Sequence, residues 1–286
     1  MTLYEEVRAA LRQSNFRPRK SRGQNFLIHE RVIDAIVHLL DLSPDDEVVE
    51  VGSGLGFLTR RLLERAGRVW AVEVDSALVE YLRAAAFGAD PKLRLIHGDI
   101  LKVPLAEMLP DKKIKLAGNL PYRISTSVLF RIFEWREHFS ALVLMVQKEV
   151  ADRIAAAPGT KDYGTLSIWS QVHGQITDKI SVSPEAFFPR PQVRSTVMKI
   201  ELYSAPLIGR DASARLHDLV RAAFGQRRKT LANALAAFLR RGRTEIDEWL
   251  RSQDIDPARR GETLSVDEFI RLAMASRGMF SPTADN

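Results

Sequence analysis

Three glycines stand at alternate positions in the segment EVGSGLGF, between a short β-branched run and a helical stretch: Gly52, Gly54 and Gly56. Glycines in a strand-to-helix turn allow close approach of the backbone to a ligand and leave the start of the helix open. A dinucleotide-binding fingerprint would require its third glycine at position 57, which is Phe57 here. The spacing suits S-adenosylmethionine, which has an amino-acid moiety and no pyrophosphate. Taken alone, a purely structural turn explains these glycines equally well.

Acidic residues end the next two predicted strands. Glu73, in the second predicted strand RVWAVEVD, lies at the strand end about twenty residues after the glycine turn, where an acid in this class of fold accepts hydrogen bonds from ribose hydroxyls. A solvated carboxylate is the alternative, but both neighbours of Glu73 are valines. Asp75 is a weaker candidate and is better explained as an acid near the start of a helix. Asp99, in IHGDI, can accept a hydrogen bond from the adenine amine of the cofactor. Together the turn and these acids predict an S-adenosyl-L-methionine site.

The segment AGNLPY places an amide, a proline and an aromatic ring directly after the fourth predicted strand. Methyl transfer to the exocyclic amine of adenine needs a nitrogen lone pair that is delocalised into the ring. Acceptors on both amine hydrogens favour a more pyramidal nitrogen, and the Asn119 side chain and the Leu120 carbonyl can supply them. Pro121 fixes the local backbone, and Tyr122 offers a face on which an extruded base can stack. A tight turn in which Asn119 bonds its own backbone is the alternative.

Short β-branched runs alternate with helical stretches from residue 45 onward, which indicates a mostly parallel sheet with helices on both faces. Ser76 is the expected N-cap of the helix after the second strand. The predicted parallel strands are EVVEVG, RVWAVEVD, LRLIHGD, IKLAGN and ALVLMVQ, and an antiparallel pair, KISVSPEAFF and STVMKIEL, closes the sheet. This is the pattern of a doubly wound α/β domain, and together with the predicted S-adenosyl-L-methionine site it predicts a Rossmann-like fold of the class I methyltransferase type.

The pattern becomes helical after Leu202. A linker-like stretch, YSAPLIGRDASA, is followed by segments with apolar residues three and four positions apart: ARLHDLVRAAFG, TLANALAAFLRRG, TEIDEWLRSQ and SVDEFIRLAMA. We therefore expect two domains. The first, residues 1–205, carries the catalytic site and a basic N-terminal arm. The second, residues 206–286, is a small all-helical domain.

Composition narrows the classes of function. The 286 residues include no cysteine, which excludes disulfides and thiolate metal sites and fits a reducing compartment. No apolar run approaches the roughly eighteen residues that a membrane span needs, so we expect a cytoplasmic protein without a membrane partner. Neither His97 nor His173 has a metal-ligating partner at useful spacing, and we predict no metal site. The formal charge of +6 favours a polyanionic partner. Nothing demands more than a monomer.

Two basic clusters lie at places where they could bind phosphate. Such runs are usually solvated surfaces. The first precedes the proposed cofactor site and the second opens a helix of the extra domain, so we predict that both bind RNA. Their residues are Arg17, Arg19, Lys20 and Arg22 in the first cluster and Arg227, Arg228 and Lys229 in the second, with Arg240, Arg241 and Arg243 further along.

Nine segments together resemble the ribosomal RNA adenine dimethylases, over about residues 17–270: RKSRGQNFL, VVEVGSGLGFLTRRLL, AVEVD, GD, AGNLPYRIST, MVQKEVADRI, YGTLSI, FFPRPQVRSTV and AFGQRRKTLANAL. The resemblance implies that GQNFL closes over the cofactor, so that Asn25 and Leu27 contact it. It also implies that Gly52, Glu73, Asp99 and Asn119 bind the cofactor, in agreement with the interpretation of the residues themselves.

The same resemblance assigns the target base. Asn119, Leu120 and Tyr122 match the adenine-binding motif, and Phe187 matches an aromatic residue on the other side of the base. Core packing is the alternative for Phe187, and Phe188 is the alternative stacking residue. The implied reaction places two methyl groups on each of two adjacent adenosines near the 3′ end of small-subunit (16S) rRNA, with the small ribosomal subunit as partner.

Three other functions stay open at this point. One is methylation of a single adenine of large-subunit rRNA, as in the resistance-type branch of the family, although RRKTLANAL and the full helical domain favour the small-subunit branch. Another is DNA adenine methylation, but the chain has no recognisable DNA-reading module. The third is a noncatalytic RNA-binding or assembly factor with the same fold.

Overall fold

The computed structural model describes residues 2–13, 24–205, 207–226 and 228–279, without the side chain of Arg210. Its contacts divide the chain into two compact units. The first contains Met1–Ala151 and Gln175–Leu202, and the second contains Asp152–Gly174 and Tyr203–Asn286. The expected boundary at residue 206 lies close to the second junction. The expectation that all of residues 1–205 form one domain is wrong for Asp152–Gly174, because Tyr163, Ile168 and neighbouring apolar side chains pack into the core of the second unit.

The strands are β1 (Phe26–Leu27), β2 (Glu47–Val51), β3 (Arg68–Glu73), β4 (Leu93–His97), β5 (Ile114–Asn119), β6 (Phe139–Gln147), β7 (Gly174–Val182), β8 (Phe187–Phe188) and β9 (Ser195–Leu202). The helices are α1 (Leu3–Gln13), α2 (Glu30–Leu40), α3 (Phe57–Leu63), α4 (Ser76–Ala84), α5 (Leu105–Met108), α6 (Ser125–Glu134), α7 (Lys148–Ile154), α8 (Thr165–His173), α9 (Arg210–Gly225), α10 (Leu231–Leu239), α11 (Arg243–Ser252) and α12 (Val266–Ala275).

A seven-stranded sheet with the order β4-β3-β2-β5-β6-β9-β7 forms the centre of the first unit. The five neighbouring strands β4, β3, β2, β5 and β6 pair in parallel, and β9 pairs antiparallel with β6. Strands covered on both faces are apolar along their whole length, and in β6 the run from Ala141 to Val146 is buried throughout. The observed architecture confirms the predicted doubly wound α/β class.

Chain order reverses across the sheet between β2 and β5, because β3 and β4 follow on one side and β6 on the other. Such a switch point leaves a crevice at the carboxyl ends of the two strands, and ligands bind there in open α/β sheets. The glycine turn follows β2, and Asn119 is the last residue of β5. The glycine turn and Asn119, two of the features that the sequence predicts for the site, therefore both lie at the crevice.

The stretch predicted as one strand, KISVSPEAFF, is divided in the structure. β7 ends at Val182, a short 3-10 turn follows at Pro184–Ala186, and β8 pairs antiparallel with β1 in a separate two-stranded sheet. Pro184 explains the break, since proline has no amide hydrogen to donate to a ladder. As a result, β8 pairs with β1, near the N-terminus, and not with a strand of the seven-stranded sheet.

The second unit contains a helical core built by α8, α9, α10, α11 and α12. Helix α10 ends at Leu239 because Arg240 adopts a left-handed conformation, with φ of 53°. Helix α12 begins with a capping box in which the Ser265 hydroxyl accepts from the Glu268 amide and the Glu268 carboxylate accepts from the Ser265 amide. Helix α9 begins at Arg210, so the predicted linker is shorter than expected.

Candidate functional site

The cavity at the switch point brings together most of the predicted site residues. Its walls are the glycine turn, the segment before and within β1, the ends of β3 and β5, and the loop after β4. Among the predicted residues, those lining it are Asn25, Leu27, Gly52, Gly54, Glu73, Asp99, Asn119, Leu120 and Tyr122. The lining also includes residues that the sequence analysis did not single out, among them Gln24, Glu50 and Ser53.

The glycine turn has a backbone that only glycine adopts without strain. Gly52, Gly54 and Gly56 have φ values of 76°, 58° and 80°. A Cβ atom on Gly54 would lie 3.2 Å from the Phe26 ring, and one on Gly56 would lie 2.5 Å from the Phe87 ring. The turn is therefore fixed both by its dihedral angles and by the side chains packed against it.

Glu73 is held by three backbone amides. Its Oε2 accepts a hydrogen bond from the Gly54 amide, and its Oε1 accepts from the amides of Val74 and Asp75, each at 2.9 Å. The side chain is buried, and burial raises the pKa of the carboxyl although the three amide bonds act in the opposite direction. A carboxylate has about four acceptor positions, so one remains for a ligand hydroxyl.

Asp75 and Asp99 have different roles in the loops around the cavity. Asp75 is the N-cap of α4, with Oδ1 accepting from the Ala77 amide at 3.2 Å, so the expectation that Ser76 is the cap is wrong. Gln24 also donates to Asp75, at 3.3 Å. Asp99 accepts from the Leu101 amide through Oδ1 at 3.0 Å, and it lines the cavity.

Glu50 is a buried carboxyl beneath the cavity that the sequence analysis did not predict as a site residue. It lies within β2 and is 1% exposed. Thr59 donates a hydrogen bond to its Oε2 at 2.5 Å. Burial, reinforced by the nearby Glu73 carboxyl, raises the pKa of Glu50 to about 7. An acid inside the apolar run VVEV was the signal available in the sequence.

We expect Glu50→Gln to remove a pH dependence of stability. An acid whose pKa is raised on folding loses stabilisation as the pH rises from its unfolded value, near 4.5, to its folded value, near 7. The difference in unfolding free energy between the wild type and the variant should change by roughly 3 kcal/mol between pH 4.5 and pH 8. Urea unfolding at several pH values measures this difference. Parallel pH profiles for the two proteins would contradict it.

Ser53 provides a second buried polar group at the cavity. It stands between Gly52 and Gly54, is 5% exposed, and its hydroxyl has no hydrogen-bond partner among the described residues. A buried hydroxyl without a partner costs free energy, so such a group usually has a ligand or water as its partner. This hydroxyl and the glycine cradle both fit a ligand with polar groups at its amino-acid end.

The side chain of Asn119 is oriented by a residue far away in the sequence. Its Nδ2 donates to the backbone carbonyl of Asn25 at 2.9 Å. Because only the nitrogen of the amide can donate to a carbonyl, this bond fixes Oδ1 as the group left to accept from a ligand. No described residue donates to the carbonyl of Leu120. The two acceptors required for binding an amine are therefore adjacent in the chain and available.

Tyr122 lies at the same end of the cavity and is anchored at its hydroxyl. The hydroxyl shares a hydrogen bond with the buried Ser195 hydroxyl at 2.7 Å. The Ser125 hydroxyl donates to the Tyr122 carbonyl at 3.2 Å. Burial raises the pKa of Tyr122, with the bond to Ser195 opposing the shift. Both ends of the residue are thus fixed, and Tyr122 lines the cavity.

Phe187 and Phe188 do not line the cavity. Phe187 is 3% exposed, pairs with Leu27 across the β1–β8 sheet, and packs in the core of the first unit. Phe188 is partly buried, and its ring meets the edge of Tyr4 at a centroid distance of 5.6 Å. Stacking by Phe187 on a base requires its ring to leave this core, and its role stays a prediction.

The predicted basic residues are only partly within the described ranges. Arg228 and Lys229 are exposed between α9 and α10, and neither side chain forms an ion pair with a described residue. In contrast, Arg241 pairs with Glu245 at 3.4 Å and Arg243 with Asp247 at 2.7 Å. Arg17, Arg19, Lys20, Arg22 and Arg227 lie outside the described residues.

The described residues offer neither a metal site nor a membrane-spanning helix. Within residues 2–13, 24–205, 207–226 and 228–279, no group of three or more His, Cys, Asp or Glu side chains is arranged to hold a metal ion. In that same part of the chain, no helix has the length and apolar character needed to cross a membrane.

Comparisons with known proteins give a family match over most of the chain. A family model described as ribosomal RNA adenine dimethylase matches residues 15–276. The ribosomal RNA small subunit methyltransferase A of Geobacter metallireducens is 45% identical over 269 residues, which cover 93% of this chain and 98% of that protein.

Two solved structures share the fold. The dimethyladenosine transferase of Plasmodium falciparum superposes with a TM-score of 0.75 at 23% identity, covering 88% of this chain and 97% of that one. The 23S rRNA methyltransferase ErmE superposes with a TM-score of 0.65 at 24% identity, covering 88% and 99%.

Proposed function

Because the chain belongs to the ribosomal RNA adenine dimethylase family, we propose that it dimethylates the exocyclic amines of two adjacent adenosines near the 3′ end of small-subunit (16S) rRNA. The observation that carries the proposal is the bond from Asn119 Nδ2 to the Asn25 carbonyl, which leaves an oriented oxygen acceptor at the crevice. A relative with 45% identity is named as a small-subunit rRNA methyltransferase. The two solved structures, one named for 23S rRNA, support the fold alone.

The cavity fits S-adenosyl-L-methionine. Gly52 and Gly54 have positive φ angles that other residues adopt only with strain, and the Ser53 hydroxyl is buried without a partner among the described residues. In the proposal, Glu73 and Asp99 accept hydrogen bonds from the nucleoside of the cofactor. Gly52 and Gly54 allow the backbone to approach the cofactor closely, and Asn25 and Leu27 cover the cofactor. The bound cofactor supplies an electrophilic methyl group on a sulfonium. The chain supplies orientation and exclusion of water.

The target adenine binds with its amine between Asn119 Oδ1 and the Leu120 carbonyl. Each accepts one amine hydrogen, which favours a pyramidal nitrogen with an available lone pair. The described lining of the cavity contains no histidine or lysine, and no base is needed if water takes the proton after transfer. Catalysis in this account comes from position and from acceptors that are fixed before the base arrives.

We expect Tyr122→Ala and Tyr122→Phe to differ strongly in methyl transfer. Stacking of a base on an aromatic ring contributes about 1–3 kcal/mol, so Tyr122→Ala should lower the rate at limiting RNA by about 10- to 100-fold. Tyr122→Phe keeps the ring and loses only the bond to Ser195. Its transfer rate should stay within a few-fold of the wild type, and its free energy of unfolding should fall by about 1 kcal/mol. Single-turnover kinetics and thermal unfolding distinguish the two. Equal losses in both variants would assign Tyr122 to structure instead of stacking.

Arg228 and Lys229, which form no ion pair with a described residue, are proposed to bind RNA phosphates. Replacing Arg228 and Lys229 together with alanine should weaken RNA binding without changing base preference, and should reduce the slope of log affinity against log salt by about 1–2. A matched control is the pair Arg241→Ala and Arg243→Ala, which removes the same charge from residues already in ion pairs. Filter binding across a salt series compares them. Equal effects in the two double variants would show only a dependence on net charge.

The second candidate function is that of an assembly factor that binds the same particle without need for catalysis. The bonds that orient Glu73 and Asn119 favour an enzyme, because a binding protein has no need of a fixed acceptor in a cofactor-sized cavity. Transfer of labelled methyl groups from S-adenosylmethionine to unmethylated small subunits, with large subunits and duplex DNA as comparisons, tests the proposal. Label in small subunits alone supports it. Cofactor binding without label in any particle would favour the assembly factor.

A further inference from the structure

The charge of the cavity lining is one-sided. Among the described residues that line it are three carboxyls, Glu50, Glu73 and Asp99, and no lysine or arginine. An environment of one sign and low polarity favours ligands of the opposite charge. The methyl donor carries a positive sulfonium that its product, S-adenosylhomocysteine, has lost. An acidic lining can therefore distinguish the two ligands by the sulfonium charge, which the methyl donor carries and the product lacks.

Glu50 differs from the other two carboxyls in how its charge is compensated. Glu73 accepts from three backbone amides, and Asp99 accepts from the Leu101 amide. Among the described residues, Glu50 has hydrogen bonds from Thr59 alone, and it is 1% exposed. A buried carboxylate with so few donors gains most from a cation placed near it.

We propose that Glu50 sets the preference of the cavity for the cationic S-adenosylmethionine over neutral S-adenosylhomocysteine, and so promotes release of product between successive transfers. The inference rests on the proposed function. In each transfer the adenine nitrogen forms the new bond to carbon, the sulfur–carbon bond breaks with its electrons on sulfur, and the amine loses its extra proton to water. The sulfonium charge is lost from the cavity at that step, and the part of the attraction between Glu50 and the ligand that depends on this charge is lost with it.

The charge of Glu50 also depends on pH. The strand neighbours of Glu50 on β3 and β5 are Ala71 and Ala117, and the charged groups that face the cavity with it are Glu73 and Asp99. The raised pKa, near 7, leaves Glu50 partly neutral at neutral pH in the empty cavity. Because the ionised form attracts the sulfonium, the preference for S-adenosylmethionine should rise as the pH passes through 7. The amino group common to both ligands affects them equally and cancels in their ratio.

Calorimetric titration of both ligands against the wild type and Glu50→Gln tests this inference. The ratio of the dissociation constant of S-adenosylhomocysteine to that of S-adenosylmethionine should fall by about tenfold in the variant. The matched control is Glu47→Gln, which removes one charge from the same strand about 10 Å away by strand rise. The Glu47 carboxylate accepts a hydrogen bond from the Trp70 indole and forms salt bridges with Arg68 and Lys112. It does not line the cavity. The ratio in this control should equal that of the wild type.

The same ratio of dissociation constants, measured on the wild type at pH 6 and at pH 8, tests the inference even if the Glu50→Gln variant does not fold. It should rise with pH in the wild type and stay level in Glu50→Gln. An unchanged ratio in Glu50→Gln, or equal weakening of both ligands, would overturn the inference while leaving the proposed function intact. Failure of the wild type to bind either ligand would instead overturn the proposed function.

Discussion

Replacing Asn119 with alanine should lower methyl transfer by about 100-fold or more, the scale expected for the loss of one pre-organised polar contact in a transition state. Cofactor affinity should stay within a few-fold of the wild type. The reason is geometric, because the Asn119 amide is fixed by the Asn25 carbonyl and presents its oxygen where the amine of the base is expected. Single-turnover transfer and calorimetric cofactor binding measure the two quantities separately.

Asn119→Asp is the matched control for this result. It keeps an oxygen acceptor but loses the donor that bonds the Asn25 carbonyl. We therefore expect transfer between that of the wild type and that of the alanine variant. Equal turnover in Asn119→Ala and the wild type would remove the residue from the mechanism. A parallel fall in cofactor affinity and transfer rate would mean that Asn119 acts mainly by holding the segment at Asn25.

Replacing Glu73 with alanine should weaken cofactor binding by about 100-fold, because hydrogen bonds to a charged group contribute about 1.5–3 kcal/mol each. The carboxylate is held by the Gly54, Val74 and Asp75 amides with an acceptor position left for a ribose hydroxyl. Calorimetry measures the affinity, and thermal unfolding shows whether loss of the three amide bonds disturbs the fold.

Glu73→Gln separates the two roles of this side chain. It retains one acceptor oxygen, so its affinity should lie between the wild type and Glu73→Ala. Affinity that is unchanged in the alanine variant would refute the assignment of Glu73 to the cofactor. If both variants bind normally but unfold at lower temperature, the carboxylate serves only to shape the glycine turn.

Local patterns predicted the elements that carry the site. The β5 strand has the predicted bounds, Ile114–Asn119, since an apolar run and the following proline mark both of its ends. The placement of Glu73 followed from the doubly wound fold, in which an acid at the end of the second strand faces the crevice. These predictions needed only periodicity and the rules for parallel sheets.

Contacts between distant residues could not be predicted in the same way. The bond between Asn119 and Asn25 joins residues 94 positions apart, and the pairing of Phe188 with Phe26 depends on tertiary packing. Residues 152–174 look like part of the sheet domain in sequence order, but Tyr163 donates to the Leu264 carbonyl in the core of the second unit. Glu50 was missed because an acid in an apolar strand indicates a buried polar group but does not show which cavity that group faces.

The most direct test of the central claim is nucleoside mass spectrometry of rRNA from unmethylated small subunits, after incubation with the protein and S-adenosylmethionine. We expect dimethyladenosine at two adjacent positions near the 3′ end, and almost none over the same time with Asn119→Ala. Modification of a single adenosine, modification at another nucleobase, or equal product from the variant would contradict the account.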